Sequence, residues 1–118
     1  MYEIKAQSSF SAAHNLRNYR GKCENLHGHN WKVEAVFAYQ ALDKDGMAVD
    51  FKEAKAILKS VLAQFDHSYL NETSSFKAAN PTSENMAKFI YDELKKKDGH
   101  IQSVSVWEND NSCATYRT

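Results

Sequence analysis

The 118 residues suit one domain, 1–118, able to bury about two thirds of its unfolded surface, and carry 15 basic and 15 acidic side chains for no net charge. That balance excludes the clustered basic excess of a nucleic-acid-coating or membrane-surface protein, and no apolar run approaches the roughly 20 residues that span a bilayer. With two cysteines, Cys23 and Cys113, and no apolar leader in "MYEIKAQSSF", a cytoplasmic protein with free thiols is expected.

From Tyr2 the even positions Ile4, Ala6, Phe10 and Ala12 are apolar while Glu3, Lys5, Gln7, Ser9 and Ser11 are polar, which predicts a half-buried strand running to about His14. The alternation resumes at His29, Trp31, Val33, Ala35, Phe37 and Tyr39, closed by the turn signal "DKDG" at 43–46, and this second strand pairs antiparallel with the first. The period then changes. Ala54, Ile57, Leu58, Val61, Leu62 and Phe65 lie on one stripe of a helix over roughly 52–65. A second helix follows Pro81, with Thr82 or Ser83 as cap and Glu84 where the helix dipole favours an anion. Its apolar stripe is Met86, Phe89, Ile90 and Leu94, and Lys95, Lys96, Lys97 and Gly99 end it. The tail forms strands 101–108 and 112–117 around an Asn/Asp-rich turn, and Cys113 within it reads as an inert buried thiol. The order ββααββ predicts an α+β fold, two helices on one face of a four-stranded antiparallel sheet.

The stretch "CENLHGHNW" at 23–31 carries the first chemistry. On an extended chain His27 and His29 point to one face, and antiparallel pairing of the first two strands brings His14 near them. Three neutral imidazoles suit zinc and leave a fourth coordination position open, as catalytic rather than structural sites do. Cys23, with Lys22 before it and the metal after it, is favoured as thiolate and suits a base or nucleophile; the alternative is that it closes the metal shell as a fourth ligand. "FDHSYLN" sets Asp66 and His67 side by side at a helix end, a carboxylate able to orient a proton-relaying imidazole, or simply a cap and a surface partner. Glu108 ends the apolar run "VSVWE" as either a solvent residue or a buried carboxylate awaiting a donor-rich ligand.

Together "FSAAH", "CENLHGHN", "FDHSYLN", "NPTSEN" and "VWE" resemble the 6-pyruvoyltetrahydropterin synthase family over nearly the whole chain, and within it the bacterial carboxy-forming branch of queuosine and 7-deazapurine biosynthesis. The resemblance implies the tunnelling fold, with sheets joined edge to edge in a ring, commonly a homohexamer of two stacked trimers with active sites between subunits. It implies zinc on His14, His27 and His29, Cys23 as proton acceptor, His67 as relay supported by Asp66, and Glu108 as anchor of the pterin ring. Thr82, Ser83 and Glu84 would add ring contacts, and Arg17, Arg20 and Lys22, with Arg117, would meet the triphosphate. The reaction implied converts 7,8-dihydroneopterin triphosphate to 6-carboxy-5,6,7,8-tetrahydropterin, releasing acetaldehyde and triphosphate. A pyruvoyl product, a folate-type lyase reaction, and a non-catalytic zinc-binding protein closed by Cys23 are the alternatives.

Overall fold

The computed structural model describes residues 1–22 and 24–118. Strand β1 (Tyr2–His14) and strand β2 (His27–Tyr39) form a long antiparallel ribbon whose register sets Phe10 opposite Trp31, Ala12 opposite His29 and His14 opposite His27. β2 starts two residues before the expected position, because pairing with β1 continues through Gly28 to His14. Strands β4 (Ile101–Trp107) and β5 (Cys113–Arg117) complete the antiparallel part. A fifth strand that the sequence does not announce, β3 (Ser68–Tyr69), pairs parallel with Ala12 and Ala13, so the sheet order is β3-β1-β2-β4-β5.

Helix α1 (Phe51–Leu62) starts on Asp50, whose carboxylate accepts the Lys52 N–H at 2.8 Å, and packs on β1. It ends before residue 65 because the chain tightens into successive short turns: Phe65 N–H reaches the Leu62 carbonyl and Ser68 N–H the Phe65 carbonyl. Phe65 is nevertheless fully buried, its ring packed at tilted and edge-to-face angles against Phe10, Phe76 and Phe89 at centroid distances of 5.5–5.9 Å. Helix α2 (Ser83–Lys97) starts on Thr82, whose hydroxyl accepts the Asn85 N–H at 3.1 Å, and packs on β4 and β5. Both helices cover the same face of the sheet. The even residues of β1 and the odd residues of β2 meet them there, with Trp31, Val33, Ala35 and Phe37 at 0–1% exposure. The other face is polar, tied by Gln7–Glu34, Ser11–Asn30 and Ser105–Thr115 hydrogen bonds and by Lys32 held 4.5 Å over the Trp107 ring. Among the described residues no helix is long and apolar enough to cross a membrane.

Candidate metal centre and active site

His14 is the last residue of β1 and faces the helix side, at 2% exposure. The register places His27 directly opposite and His29 two residues further along the same face, so strand geometry alone brings the rings together, with centroids 4.6, 4.8 and 5.1 Å apart and edge-to-face packing. Trp31 forms the floor, 4.8 Å from His14 and 5.4 Å from His29, and is itself fixed by donating its indole N–H to the Ala12 carbonyl.

The tautomers follow from the partners. His14 Nδ1 lies 2.8 Å from the Pro81 carbonyl and His27 Nδ1 2.8 Å from the Asn25 carbonyl; a carbonyl only accepts, so each Nδ1 carries the proton and each Nε2 a lone pair. These two Nε2 atoms stand 3.1 Å apart. His29 Nε2 is buried with no hydrogen-bond partner. Burial is the main influence that pushes the His29 pKa down, with Glu108 partly opposing and His14 and His27 reinforcing it, so His29 is neutral near pH 7 and its 3.7 Å approach to Glu108 is not an ion pair there. The three candidate ligand nitrogens lie within 4.8 Å of one another. Nitrogens about 2.0–2.1 Å from a tetrahedral metal would lie about 3.3 Å apart, so an unpartnered buried nitrogen and two facing lone pairs fit a metal ion.

Glu108 follows β4 and reaches toward this cluster. It borders a cleft of about 240 Å³ shared with Ser83 and Glu84 at the start of α2 and with Cys113 on β5. Ser83 Oγ donates to Glu108 Oε1 at 3.4 Å. Cys113 is exposed, not buried: the turn between β4 and β5 places it on the sheet face away from the helices, at the cleft wall. The Thr82 hydroxyl is committed to capping α2.

Asp66 and His67 sit elsewhere. Asp66 Oδ1 accepts the Ser11 N–H at 3.0 Å while His67, at φ +57°, donates its own N–H to the Ser11 carbonyl, so the pair is clipped to the edge of β1. The Ser11 N–H is the main reason the Asp66 pKa is lowered, and His67, 3.2 Å away, adds to it. The His67 ring is 83% exposed beside a shallow recess at the β1 edge that is bordered by Ser11, Ala13, Gly28 and Asn30 and also by His29. Within one chain, then, the triad and Glu108 come together, while the Asp66–His67 pair is held at the β1 edge by Ser11 with no contact to the triad nitrogens or to Glu108 among the described residues.

The cations also divide. The Arg17 guanidinium donates to the Asn71, Phe76 and Ala79 carbonyls at 2.9, 2.7 and 3.1 Å, so it holds the chain's own backbone and is not free for a phosphate. Arg20, at φ +51° with its guanidinium 5.2 Å over the Tyr19 ring, and Lys22 are exposed on the turn before Cys23. Arg117 is exposed on β5 at the polar face. Cys23 lies outside the described residues. Sequence reasoning passed over the Pro81 carbonyl, the Trp31 floor and the roles of Asn71 and Asn80; the two asparagines lie in "FDHSYLN" and "NPTSEN", but only the fold shows which backbone groups they meet.

The family model described as 6-pyruvoyl tetrahydropterin synthase matches residues 3–118. The chain belongs to the 6-pyruvoyl tetrahydropterin synthase family. Within that family it is 40% identical over 114 residues to an Archaeoglobus fulgidus protein provisionally named 6-carboxy-5,6,7,8-tetrahydropterin synthase, covering 97% of this chain and 94% of the relative. It is 35% identical over 122 residues to the Synechocystis 6-carboxy-5,6,7,8-tetrahydropterin synthase, covering 98% and 93%. The solved structure of Caenorhabditis elegans 6-pyruvoyl tetrahydropterin synthase superposes with a TM-score of 0.88 at 28% identity, covering 99% of this chain and 95% of that one. The fold is therefore the tunnelling fold, and the chain is an enzyme, a pterin synthase of the lyase type similar to the 6-carboxytetrahydropterin synthases.

Proposed function

We propose that the protein converts 7,8-dihydroneopterin triphosphate to 6-carboxy-5,6,7,8-tetrahydropterin, with release of acetaldehyde and triphosphate, in queuosine and 7-deazapurine biosynthesis in the cytoplasm. The observation that carries this is the trio of His14 and His27, with ε-nitrogens free of hydrogen, and His29, with a buried and unpartnered ε-nitrogen, set against the Glu108 cleft. Those histidines would hold a zinc ion, which when bound supplies Lewis-acid polarisation of substrate oxygens. Glu108 accepts paired hydrogen bonds from the pterin N3–H and 2-amino group, a bidentate match that reads the ring edge, and the Ser83 hydroxyl steadies that carboxylate. Glu84 bounds the same cleft at the start of α2, which Thr82 caps. Cys23, four residues before His27, takes a proton from the substrate side chain. His67, oriented by Asp66, relays protons to the site of a neighbouring copy in a ring-shaped homohexamer, a role supported by its 83% exposed ring at the β1 edge. Arg20 and Lys22 are the cations available for the triphosphate.

Incubating the zinc-loaded protein with 7,8-dihydroneopterin triphosphate and identifying the small products tests the reading. Acetaldehyde is the expected one. A pyruvoyl product or glycolaldehyde would move the protein to another reaction of the same fold, and no conversion would leave a zinc-binding protein without catalysis.

A further inference from the structure

Sheet pairing of β1 stops at His14, and the next three residues are held by side chains instead. Asn71 Oδ1 accepts the Asn15 N–H at 3.0 Å and its Nδ2 donates to the Asn15 carbonyl at 2.8 Å. Glu24 Oε1 accepts the Leu16 N–H at 3.2 Å and its own N–H donates to the Leu16 carbonyl at 2.9 Å. Asn80 Oδ1 accepts the Arg17 N–H at 2.8 Å and its Nδ2 donates to the Arg17 carbonyl at 3.1 Å. A carboxamide carries one acceptor and a pair of donors, as a neighbouring strand's peptide group would present them, so each asparagine substitutes for a missing strand partner. Aspartate has the same shape but would turn an oxygen toward the carbonyl. Arg17 returns the grip on the carbonyls of Asn71, Phe76 and Ala79, and Tyr69 donates its hydroxyl to the Asn15 side chain.

This clamp determines where His14 stands. The backbone just after His14 is pinned through Asn15, and the His14 ring is pinned through the Pro81 carbonyl, which directly follows Asn80. Both anchors therefore belong to the segment from Tyr69 to Pro81. His27, by contrast, is oriented by the Asn25 carbonyl only two residues away. We propose that Asn71 and Asn80 are positioning residues of the metal centre: by clipping the backbone of residues 15 and 17 they hold the buried His14 Nε2 at the place where it meets the other two imidazoles.

The inference rests on the metal-site reading above, and the experiment separates the two. Zinc affinity is measured by competition with a chromogenic chelator, ligand geometry by the visible bands of the cobalt(II)-loaded protein, and fold by thermal unfolding. The variants are Asn71→Ala, Asn80→Ala and Asn80→Asp, with Leu94→Ala as the control. Leu94 is fully buried at the far end of α2, about 16 Å along the helix axis from Ser83. The asparagine variants are expected to lose about 10- to 100-fold in zinc affinity and to change the cobalt bands. Leu94→Ala is expected to lower the unfolding midpoint at least as far while keeping wild-type affinity and bands. Wild-type affinity and bands in Asn80→Ala, which is half-buried and tests the clamp even where Asn71→Ala does not fold, would overturn the proposal. An equal loss of affinity in Leu94→Ala would also overturn it. A wild-type protein that binds neither zinc nor cobalt would remove the metal centre itself, and this inference with it.

Discussion

His14 and His27 bring two nitrogen lone pairs to 3.1 Å, because both rings already donate their Nδ1 protons to carbonyls. Two lone pairs at that distance repel, so the contact holds only with a cation between them or an extra proton on one ring. A metal ion removes the repulsion without charging the imidazoles. His29→Ala is therefore expected to abolish stoichiometric zinc retention after dialysis, read by metal analysis, whereas Cys23→Ala is expected to retain zinc and lose turnover. Loss of zinc in Cys23→Ala would make the thiol a ligand. At Asp66 the Ser11 N–H stabilises the carboxylate, so the folded pKa lies below the unfolded value. A group depressed in this way contributes stability above its unfolded pKa and loses it as pH falls through the folded one. Urea midpoints of wild type and Asp66→Asn should thus differ most above the unfolded carboxylate's pKa, about 3.9, and converge as the pH falls through the lower folded value. A difference that does not depend on pH would count against the Ser11 contact as its cause.

Among the elements, residues 80–84, which lead into α2, tie the helix to the centre. Asn80 clips Arg17, the Pro81 carbonyl fixes the His14 tautomer, Thr82 caps the helix and Ser83 bonds Glu108. A helix that carries one wall of the cleft must begin at a defined residue, and the cap defines it. Thr82→Ala should cost about 1 kcal/mol in chemical denaturation, and a fall in affinity for the pterin product should accompany it as the first turn frays. The short β3 has a similar task. Two residues of parallel pairing are too few to stabilise a strand by themselves, but together with the Ser11 contacts they hold Asp66 and His67 at the edge of the sheet.

At the scale of the molecule the sheet ends in two edges, β3 and β5, and an open edge invites pairing with another chain. The Asp66–His67 pair lies at one edge with the His67 ring exposed, and the proposed relay, in which His67 serves a neighbouring copy, would need two copies for each site. Light scattering should give a particle of six subunits. Co-expressing Cys23→Ala with His67→Ala, each inactive alone, should restore about one quarter of wild-type activity, because random assembly leaves that share of sites with both residues intact. No recovery would place the thiol and His67 in the same chain's site.

What the sequence determined by itself was local in origin. A period of two fixes which face each strand side chain takes, so the polar and buried faces of β1 and β2 and the shared face of His27 and His29 could be read from residue spacing. The Asp-rich turn, the Thr82 cap and the stripes of both helices are short-range too, and each appears in the structure within a few residues of its expected place. The rest depends on packing between segments far apart in the chain. The Pro81 carbonyl meets His14 across 67 residues, and Asn80 meets Arg17 across 63. Arg17 turns inward because three carbonyls converge on it, which a phosphate-binding reading of a basic loop has no means to anticipate. Cys113 is exposed because its strand lies at the sheet edge with the thiol on the polar face, whereas strand propensity alone suggests burial. Residue type and spacing specify which groups can react; only the assembled backbone decides which of them meet.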